Sequence, residues 1–437
     1  MTFTYFKRGA PIDAAASADV SSTVARLLAE IEAGGEAAAT RIAREFDRWD
    51  GDIILSDETI AAACARVPQS LKDDIAYAHE NIARFAKAQR DSFTETEIEL
   101  RPGLRAGQRL IPVQAAGCYI PGGRYSHIAS AMMTVTTAKV AGVSHVAAVS
   151  PPRADAPAGI PDAILYTLHH CGADSVLALG GIQGVAAMAF GLFGLPPADI
   201  LVGPGNQFVA EAKRLLYGRV GIDMVAGPTD SMVIADATAD ALVVAWDLVG
   251  QAEHGANSPV WLVTTDTELA AEVRRLVPLC AAALPEPNRS AALGAWDVLG
   301  EIVICETAEA MAAYADRIAP EHLHVQAGNL DWWLARLRAY GSLFLGATST
   351  VAFGDKAAGT NHVLPTSGAA RYTGGLSVHK FLKTVTWQTV TDEALPQLAG
   401  VTARISRFEG MEGHARTADI RLARLAAKSP ICPIWPI

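Results

Sequence analysis

Side chains that can bind a metal or transfer protons recur in the second half of the chain, within short motifs bounded by glycine. They are Gln251 and His254 in LVGQAEHG, Glu321 and His322 in APEHLH, Asp355 in FGDKAAGTNHVLPT, and His414 in EGMEGHA. Two imidazoles, one carboxylate and one amide oxygen can hold a divalent metal and leave a position for substrate. The Glu–His pair would then supply acid–base groups beside the metal. The motifs predict a metalloenzyme.

Each candidate ligand also has an ordinary structural interpretation. Gln251 and His254 are three apart in a helical pattern closed by Gly255, so they share one helix face, which simple hydrogen bonding also explains. Asp355 fits a turn or N-cap, and His414 fits a solvated surface position. The repeated placement of ligand-type residues in glycine-shaped loops favours the metal site over these separate interpretations.

Glu321 and His322 follow Ala319–Pro320, which predicts an extended segment or the start of a helix. Adjacent strand residues point to opposite faces, whereas at a helix start both side chains can reach one cleft. A histidine with a near-neutral pKa can take a hydroxyl proton, and a glutamate can activate water. The alternative is a helix-starting glutamate beside a packing histidine.

Composition sets the broad class of protein. At 437 residues the chain predicts two or more domains, and its net charge of −10 argues against a general nucleic-acid binder. The N-terminus lacks the apolar run of a signal peptide. Residues 175–198 carry no charge, but their glycines and prolines fit a strand, turn and helix better than a membrane span. We expect a soluble cytoplasmic protein.

The six cysteines contain no CxxC pair, which predicts free thiols in a reducing compartment. Cys118 stands beside Tyr119 and a glycine turn, where a nucleophile is conceivable. A small buried apolar side chain is the stronger interpretation.

The elements that must position these residues alternate between strand and helix. Residues 20–92 show helical spacing, and from about residue 112 short apolar runs alternate with helical stretches. A second alternating region begins at SMVIAD. This order predicts parallel sheets with right-handed crossovers.

Three glycine-rich turns, YIPGGRY, ALGGIQG and VGPGNQF, follow predicted strands, where backbone N–H groups can meet phosphates. No GxGxxG dinucleotide fingerprint is present in the sequence. Tight turns that only need positive φ are the better explanation of each such motif when it is taken alone.

Taken in order, the motifs resemble the histidinol dehydrogenase family from about Phe46 to Ala415. The matching blocks are CYIPGG, TTAKVAGV, ALGGIQGVAAMAFG, VGPGNQFVAEAKR, DMVAGPTDSMVIAD, QAEHG, APEHL, GDKAAGTNHVLPT, GGLSV and EGMEGHA. The resemblance implies a homodimeric, zinc-dependent, NAD-linked dehydrogenase. Such enzymes oxidise a primary alcohol through an aldehyde to a carboxylate, using two NAD.

The resemblance also implies residue roles. One zinc ion per subunit would be held by Gln251, His254, Asp355 and His414. NAD would contact Tyr119, Gln183 and Asn206. His322 would act as general base and acid, and Glu321 would activate water for the second oxidation. The segment with Glu409 and His414 would reach the active site of the partner subunit.

The implied fold is α/β, with two Rossmann-like parallel-sheet domains and small helical terminal segments in an intertwined homodimer. We expect an N-terminal arm at 1–20. A discontinuous first α/β domain, 21–118 and 229–375, would carry the metal and catalytic residues. A second α/β domain at 119–228 would bind NAD. A C-terminal helical segment, 376–437, would reach the partner subunit.

The substrate pocket departs from the family pattern. Lys356 stands where a tyrosine is usual, Thr229 where a serine is usual, and Ala129 aligns with a substrate-contacting serine. A lysine beside zinc suits an anionic head group, to which Arg124 and His127 can add charge. The alternative is that Lys356 points to solvent.

These departures resemble the branch of the family that oxidises 2,3-dihydroxypropane-1-sulfonate to sulfolactate. The expected substrate contacts are Thr229, Lys356, His362, Glu409, Arg124 and His127. Glu409 is retained, and the matching glutamate faces the substrate in the histidinol enzymes of the family. Histidinol therefore stays an alternative substrate. A zinc hydrolase and a non-catalytic ligand-binding relative are the remaining alternatives. We expect a small anionic alcohol as partner, and neither nucleic acid nor membrane.

Overall fold

A computed structural model describes residues 3–10, 17–122, 127–225 and 227–427. The chain divides into two compact units, Met1–Arg90 with Val113–Phe381, and Asp91–Pro112 with Leu382–Ile437. The elements in chain order are β1 (Phe3–Lys7), α1 (Ser17–Phe46), α2 (Asp57–Arg66), α3 (Gln69–Asp91), β2 (Thr96–Arg101), β3 (Leu104–Pro112), β4 (Ala115–Tyr119), α4 (Ile128–Ala141), β5 (His145–Ser150), α5 (Asp162–Cys171), β6 (Ser175–Ala178), α6 (Gly181–Phe190), β7 (Ile200–Val202), α7 (Gln207–Leu216), β8 (Gly221–Ile222), β9 (Ser231–Ala235), α8 (Ala241–Ala252), β10 (Val260–Thr264), α9 (Thr267–Ala282), α10 (Asn288–Leu299), β11 (Glu301–Cys305), α11 (Ala308–Ile318), β12 (His322–Gln326), α12 (Leu330–Arg336), β13 (Ser342–Leu345), α13 (Val351–Lys356), two short 3-10 helices (Ala369–Arg371 and Val378–Phe381), β14 (Leu382–Val390), α14 (Leu395–Phe408) and α15 (Glu412–Ala427).

The first sheet of the larger unit has the order β1-β11-β10-β9-β12-β13 in the described part of the chain. All of its pairs are parallel except β1 with β11 at one edge. Strands such as VWLVT are buried along their whole length, because helices cover both faces. Helices α8, α9 and α10 pack on one face, and α11 and α12 pack on the other.

The second sheet is parallel throughout, with the order β6-β5-β4-β7-β8 among the described residues. Helices α1, α6 and α7 share one core with it, centred on residues such as Ile31, Ile42 and Val209. The predicted alternation of strand and helix into two parallel sheets is therefore confirmed. Residues 175–198 form strand, turn and helix, as expected.

The packing draws the boundary between the two sheets differently from the predicted domains. The predicted first domain included 21–118, but α1 packs on the second sheet and β4 lies at the centre of that sheet. The predicted arm, 1–20, contributes β1 to the first sheet. An amphipathic helix such as α1 has an apolar face that either sheet could cover, so its sequence does not select the partner.

The smaller unit contains an antiparallel sheet, β14-β3-β2, and the helix pair α14 and α15. The helices approach closely through alanines: Ala399, Ala403, Ala415 and Ala418. The predicted helical segment 376–437 is wrong for Leu382–Val390, which form the strand LKTVTWQTV. The β-branched and aromatic residues of that stretch favour a strand. The last ten residues of the segment lie outside the described residues.

The cysteines of the described ranges are free thiols, as predicted. Cys118 lies fully buried in β4, and burial raises the pKa of its thiol to about 12. A thiol held in its neutral form is a poor nucleophile, so Cys118 is a packing residue. Over the same ranges, none of the helices combines the length and the apolar character that crossing a bilayer requires.

A buried ion pair fixes the turn after β7. The ammonium of Lys213 contacts the carboxylate of Asp223 and donates to the carbonyl of Gly203 over 2.9 Å. Asp223 Oδ2 accepts from the N–H of Gly203 over 2.7 Å. Gly203 has φ +112°, and a Cβ there would lie 2.2 Å from the carbonyl oxygen of Tyr119. The turn can therefore approach β4 only with glycine at this position.

We expect Lys213→Met to destabilise the protein by about 3–5 kcal/mol, because it leaves the buried Asp223 charge unpaired. Urea unfolding followed by fluorescence measures the change. The neighbouring Arg214→Met is the control, since Arg214 pairs with Glu211 at the surface and its loss should cost less than about 1 kcal/mol. Equal effects of the two substitutions would contradict the prediction.

Candidate active site

A cavity of about 340 Å³ in the larger unit collects most of the residues singled out by the sequence. Turns after β4 and β7 supply one wall, and segments that precede β9 and β12 supply another. The cavity therefore lies between the carboxyl edge of the second sheet and the amino edge of the first. Its lining consists of Pro121, His127, Ile128, Ala129, Ser130, Pro204, Gly205, Gly227, Thr229, His254, Glu321, His322, Asp355, Lys356, His362, Leu364 and Thr366.

Asp230 holds the Glu321–His322 pair in place. Its Oδ1 accepts from the N–H of Glu321 over 2.7 Å, and its own N–H donates to Glu321 Oε2 over 3.1 Å. Its carbonyl oxygen lies 3.3 Å from His322 Nδ1 and also accepts from the His322 N–H. Its Oδ2 accepts from the N–H of Ser367. Asp230 is buried, and burial raises the pKa of its carboxyl group.

The pair stands at the start of a strand, not at the start of a helix. His322 is the first residue of β12, next to Ser231 of β9, and Glu321 precedes it. Both side chains nevertheless reach one cleft, because they turn toward Asp230 and His322 Nδ1 lies 3.6 Å from Glu321 Oε2. A carbonyl can only accept, so the contact with Asp230 places a proton on Nδ1, and Nε2 lies 3.4 Å from Asp355 Oδ1, to which it can donate only when the ring is doubly protonated.

The pKa values of the pair are displaced by burial and by mutual charge. Burial, aided by the negative charges of Asp230 and Asp355, raises the pKa of Glu321 to about 8. Burial would lower the pKa of His322, but the carboxylates of Glu321 and Asp355 outweigh it and raise the pKa to about 9. The carboxyl and the imidazole therefore both exchange protons within reach of neutral pH, as acid–base catalysis requires.

Asp355 joins this pair to the proposed metal ligands. Burial would raise the pKa of Asp355, yet the hydrogen bond and charge of His322 hold it below its ordinary value. Gln251 Nε2 donates to Asp355 Oδ2 over 3.4 Å, and Gln251 Oε1 is buried without a hydrogen-bond partner among the described residues. His254 lines the same cavity, where desolvation lowers its pKa and favours the neutral ligand form.

The donor set fits a divalent metal, since an orphaned buried amide oxygen, a carboxylate and a neutral imidazole meet at one place. Within the described ranges, His, Cys, Asp and Glu side chains alone form no group of three or more arranged to hold a metal. Of the predicted ligands, His254 and Asp355 line the cavity, and Gln251 adds an amide oxygen next to Asp355. The fourth predicted ligand, His414, lies in α15, and Glu409 directly follows α14. Both are exposed in the smaller unit, and their roles stay predictions.

The substrate candidates Thr229, Lys356, His127 and His362 line the cavity. Lys356 ends α13 directly after Asp355. Burial and then the charge of Lys356 lower the pKa of His127 to about 4. His127 is therefore neutral at pH 7, and the expectation that it adds positive charge is wrong. Arg124 lies outside the described residues.

His362 is held by a residue that the sequence did not single out. Its Nε2 lies 3.1 Å from Ser130 Oγ, in the first turn of α4. Burial lowers the pKa of His362 to about 4, although the carboxylate of Asp355 opposes the shift. Its Nδ1 is buried and has no partner within the described ranges. A neutral imidazole with a spare nitrogen can donate or accept one hydrogen bond.

The three NAD candidates lie near the carboxyl ends of strands of the second sheet: Tyr119 ends β4, Gln183 is in the first turn of α6, and Asn206 precedes α7. Tyr119 Oη accepts from the N–H of Gly181 over 3.1 Å, at the start of α6. Gln183 Nε2 donates to the Asp47 carboxylate over 2.7 Å, and Asn206 caps α7 through its side-chain oxygen. In parallel α/β sheets this edge is where dinucleotides bind. The structure also gives each residue a packing role, so NAD contact remains a prediction.

Sequence reasoning also missed the roles of Asp47 and Asp230. Asp47 closes the ALGGIQG turn by accepting from the N–H of Gly180 over 3.0 Å as well as from Gln183. Burial raises the pKa of its carboxyl group. Both aspartates bind backbone groups far away along the chain, and nothing in their local sequence indicates those partners.

Two parallel sheets that meet at a cavity with a buried carboxyl–imidazole pair define an α/β enzyme with a small-molecule site. Residues 12–422 match the family model described as histidinol dehydrogenase. The chain belongs to the histidinol dehydrogenase family, a class of NAD-dependent dehydrogenases, and the predicted family is confirmed.

Individual relatives extend over nearly the whole chain. A histidinol dehydrogenase homolog from Ruegeria pomeroyi is 64% identical over 97% of this chain and 98% of its own length. A sulfopropanediol 3-dehydrogenase from the same organism is 62% identical over 97% of both chains. The crystal structure of histidinol dehydrogenase from Elizabethkingia anophelis superposes with a TM-score of 0.89 at 33% identity, covering 96% of this chain and 95% of that one.

We expect Asp230→Asn to reduce turnover at least about tenfold, because an amide cannot accept from both backbone N–H groups and the Glu–His pair loses its anchor. Asp236→Asn is the matched control. Asp236 also accepts from two backbone N–H groups on different oxygens, from Thr238 at Oδ1 and from Gly328 at Oδ2, but it does not line the cavity. Steady-state rates and thermal midpoints measure the two effects. If the two variants had similar thermal midpoints and lost turnover equally, the assignment of Asp230 as the anchor of the Glu–His pair would be contradicted.

Proposed function

We propose that the protein catalyses a zinc-dependent, NAD-linked, four-electron oxidation of a primary alcohol to a carboxylate through an aldehyde. The substrate we favour is 2,3-dihydroxypropane-1-sulfonate, with 3-sulfolactate as product. The observation that carries this choice is Lys356, whose ammonium shares the cavity with Glu321 and His322 and has no ion-pair partner among the described residues. The 62% identical sulfopropanediol 3-dehydrogenase supports the choice.

The residues of this chain have distinct parts in the proposed reaction. Zinc, held by Gln251, His254 and Asp355 with His414 as fourth ligand, would lower the pKa of the substrate hydroxyl and neutralise the carboxylate charge that raises the pKa of His322. In its neutral form, with the proton on Nδ1 toward the Asp230 carbonyl, His322 would take the hydroxyl proton on Nε2. NAD, for which Tyr119, Gln183 and Asn206 are the proposed contacts, would accept the hydride.

The second oxidation requires water. Glu321, whose pKa lies near 8, would remove a proton from a water molecule as that water adds to the aldehyde carbon, while His322 returns its proton to the former carbonyl oxygen. The resulting hydrate would give its hydride to a second NAD and one hydroxyl proton to the neutral His322. Retention of the aldehyde in the cavity avoids release of a reactive intermediate.

We further propose a cytoplasmic homodimer in which the segment with Glu409 and His414 completes the partner's site. Oxidation of histidinol to histidine is the second candidate function. Glu409 favours it because a carboxylate suits a cationic amino alcohol. Family membership favours both dehydrogenase functions over the zinc hydrolase.

We expect the purified enzyme with zinc to form NADH with dihydroxypropanesulfonate but not with histidinol. Lys356→Met should raise the KM for the sulfonate about ten- to hundredfold, the worth of one hydrogen bond to a charged group. Lys356→Arg, which keeps the charge, is the control, and Lys356→Tyr should abolish sulfonate oxidation. Activity with histidinol alone would contradict the assignment of the sulfonate as substrate, whereas the proposed dehydrogenase reaction would remain supported.

Metal dependence gives a separate test. Removal of metal with dipicolinate should reduce NADH formation to background, and one equivalent of Zn²⁺ per subunit should restore it. Metal content measured by mass spectrometry after each step gives the stoichiometry, and Mn²⁺ added in parallel tests the identity of the metal. Full turnover by protein shown to be metal-free would refute the proposed role of zinc.

A further inference from the structure

A buried polar network links the three elements that carry Gln251, His322 and Asp355. Its centre is Asp247 in α8, whose side chain is largely buried. Asp247 Oδ1 accepts from the hydroxyl of Thr350 over 2.7 Å, and Oδ2 accepts from Gln326 Nε2 over 2.6 Å. His324 Nδ1 lies 3.4 Å from the same Oδ2. None of these residues lines the cavity.

The register of each element connects this network to the candidate active site. Asp247 precedes Gln251 by four residues on α8, so the two lie on one helix face. His324 and Gln326 follow His322 at intervals of two on β12, so the three point to one face of the sheet. Thr350 is the N-cap of α13, the short helix that contains Asp355.

The hydroxyl of Thr350 bonds to Asp247 and not to its own helix. A threonine at an N-cap usually accepts from a backbone N–H of its helix. Thr350 makes no such bond, and its hydroxyl donates to Asp247 instead. His324 Nε2, which must carry a proton, donates to the carbonyl of Gly346 over 2.9 Å in the turn before α13. The loop into α13 is thus held at two points.

We propose that Asp247, through Thr350 and His324, is a positioning residue that sets the separation of the metal ligands Gln251 and Asp355. The inference rests on the proposed zinc site. Gln251 is one helical turn from Asp247 on α8, and Asp355 is five residues beyond Thr350 on α13. The Asp247 carboxylate therefore fixes the position of α8 relative to the start of α13. The chemistry it serves is coordination of a divalent cation by an amide oxygen and a carboxylate.

Thr350→Val tests the proposal, because valine keeps the shape of threonine and removes only the hydroxyl. We expect the affinity for Zn²⁺, measured by competition with a chromophoric chelator, to fall about tenfold. Thr350→Ser should restore the affinity. In steady-state assays at saturating NAD and limiting zinc, kcat should fall while the KM for the alcohol stays near the wild-type value.

Thr307→Val is the matched control. Thr307 caps α11 by accepting from the N–H of Ala310, on the same sheet but away from the cavity. Its loss should lower the thermal midpoint without changing zinc affinity. Asp247→Asn serves as a second variant, because its amide would face the Gln326 amide and break that link while keeping an acceptor for Thr350.

The outcomes separate the inference from the proposed function. Unchanged zinc affinity in both Thr350→Val and Asp247→Asn, with a wild-type protein that binds zinc, would overturn the positioning role alone. A wild-type protein that binds no zinc would overturn the metal site and the inference together. A loss of affinity equal to that of Thr307→Val would also count against the inference.

Discussion

Four ionisable side chains at the cavity, Asp230, Glu321, His322 and Asp355, are almost completely removed from water. An isolated charge in such a place costs several kcal/mol, so each group must be neutralised or hydrogen-bonded. Asp230 accepts from two backbone N–H groups, and His322 stands between the carboxylates of Glu321 and Asp355. The need for these contacts fixes the register of β9 with β12 and the position of α13 beside His322. The acid–base chemistry and the local fold therefore depend on the same contacts.

The two sheets meet the cavity at opposite edges, and chain direction explains why. The second sheet presents its carboxyl edge, where turns after β4 and β7 expose backbone N–H groups. The first sheet presents its amino edge, because Asp230 and Glu321 directly precede β9 and β12. Helix α8 joins the parallel strands β9 and β10, so it must return the chain to that amino edge. Its C-terminal end, with Gln251 and then His254, arrives beside Asp355, where the negative helix terminus favours a cation.

Features set by local spacing could be predicted from the sequence. The i,i+3 spacing of Gln251 and His254, the alternation of strand and helix, and the glycine turns all depend on neighbours along the chain. Features set by distant contacts could not. The partners of Asp230 are 91 and 137 residues away, and α1 could have covered either sheet. The sequence also left Glu321 and His322 in either an extended segment or the start of a helix, and pairing with β9 makes His322 the first residue of a strand. Which helix covers which sheet is a tertiary choice that amphipathic periodicity does not encode.

The net charge of the cavity could not be predicted from residue types either, because it depends on the protonation states of the buried histidines. That charge determines whether an anionic or a cationic substrate is favoured. His127 and His362 lie near Lys356, and burial together with that lysine keeps both imidazoles neutral at pH 7. Glu321 and His322 compensate one another, and Asp355 faces Gln251 and the proposed metal. Lys356 then remains the lining residue whose fixed charge has no counterion within the described ranges. An anionic head group would supply that counterion in a partly desolvated site, where charge-assisted hydrogen bonds are strongest. A cationic amino alcohol would instead meet repulsion, unless a carboxylate such as Glu409 offset it. With both histidines neutral, Lys356 would be the lining charge that favours an anionic over a cationic substrate in the proposed reaction.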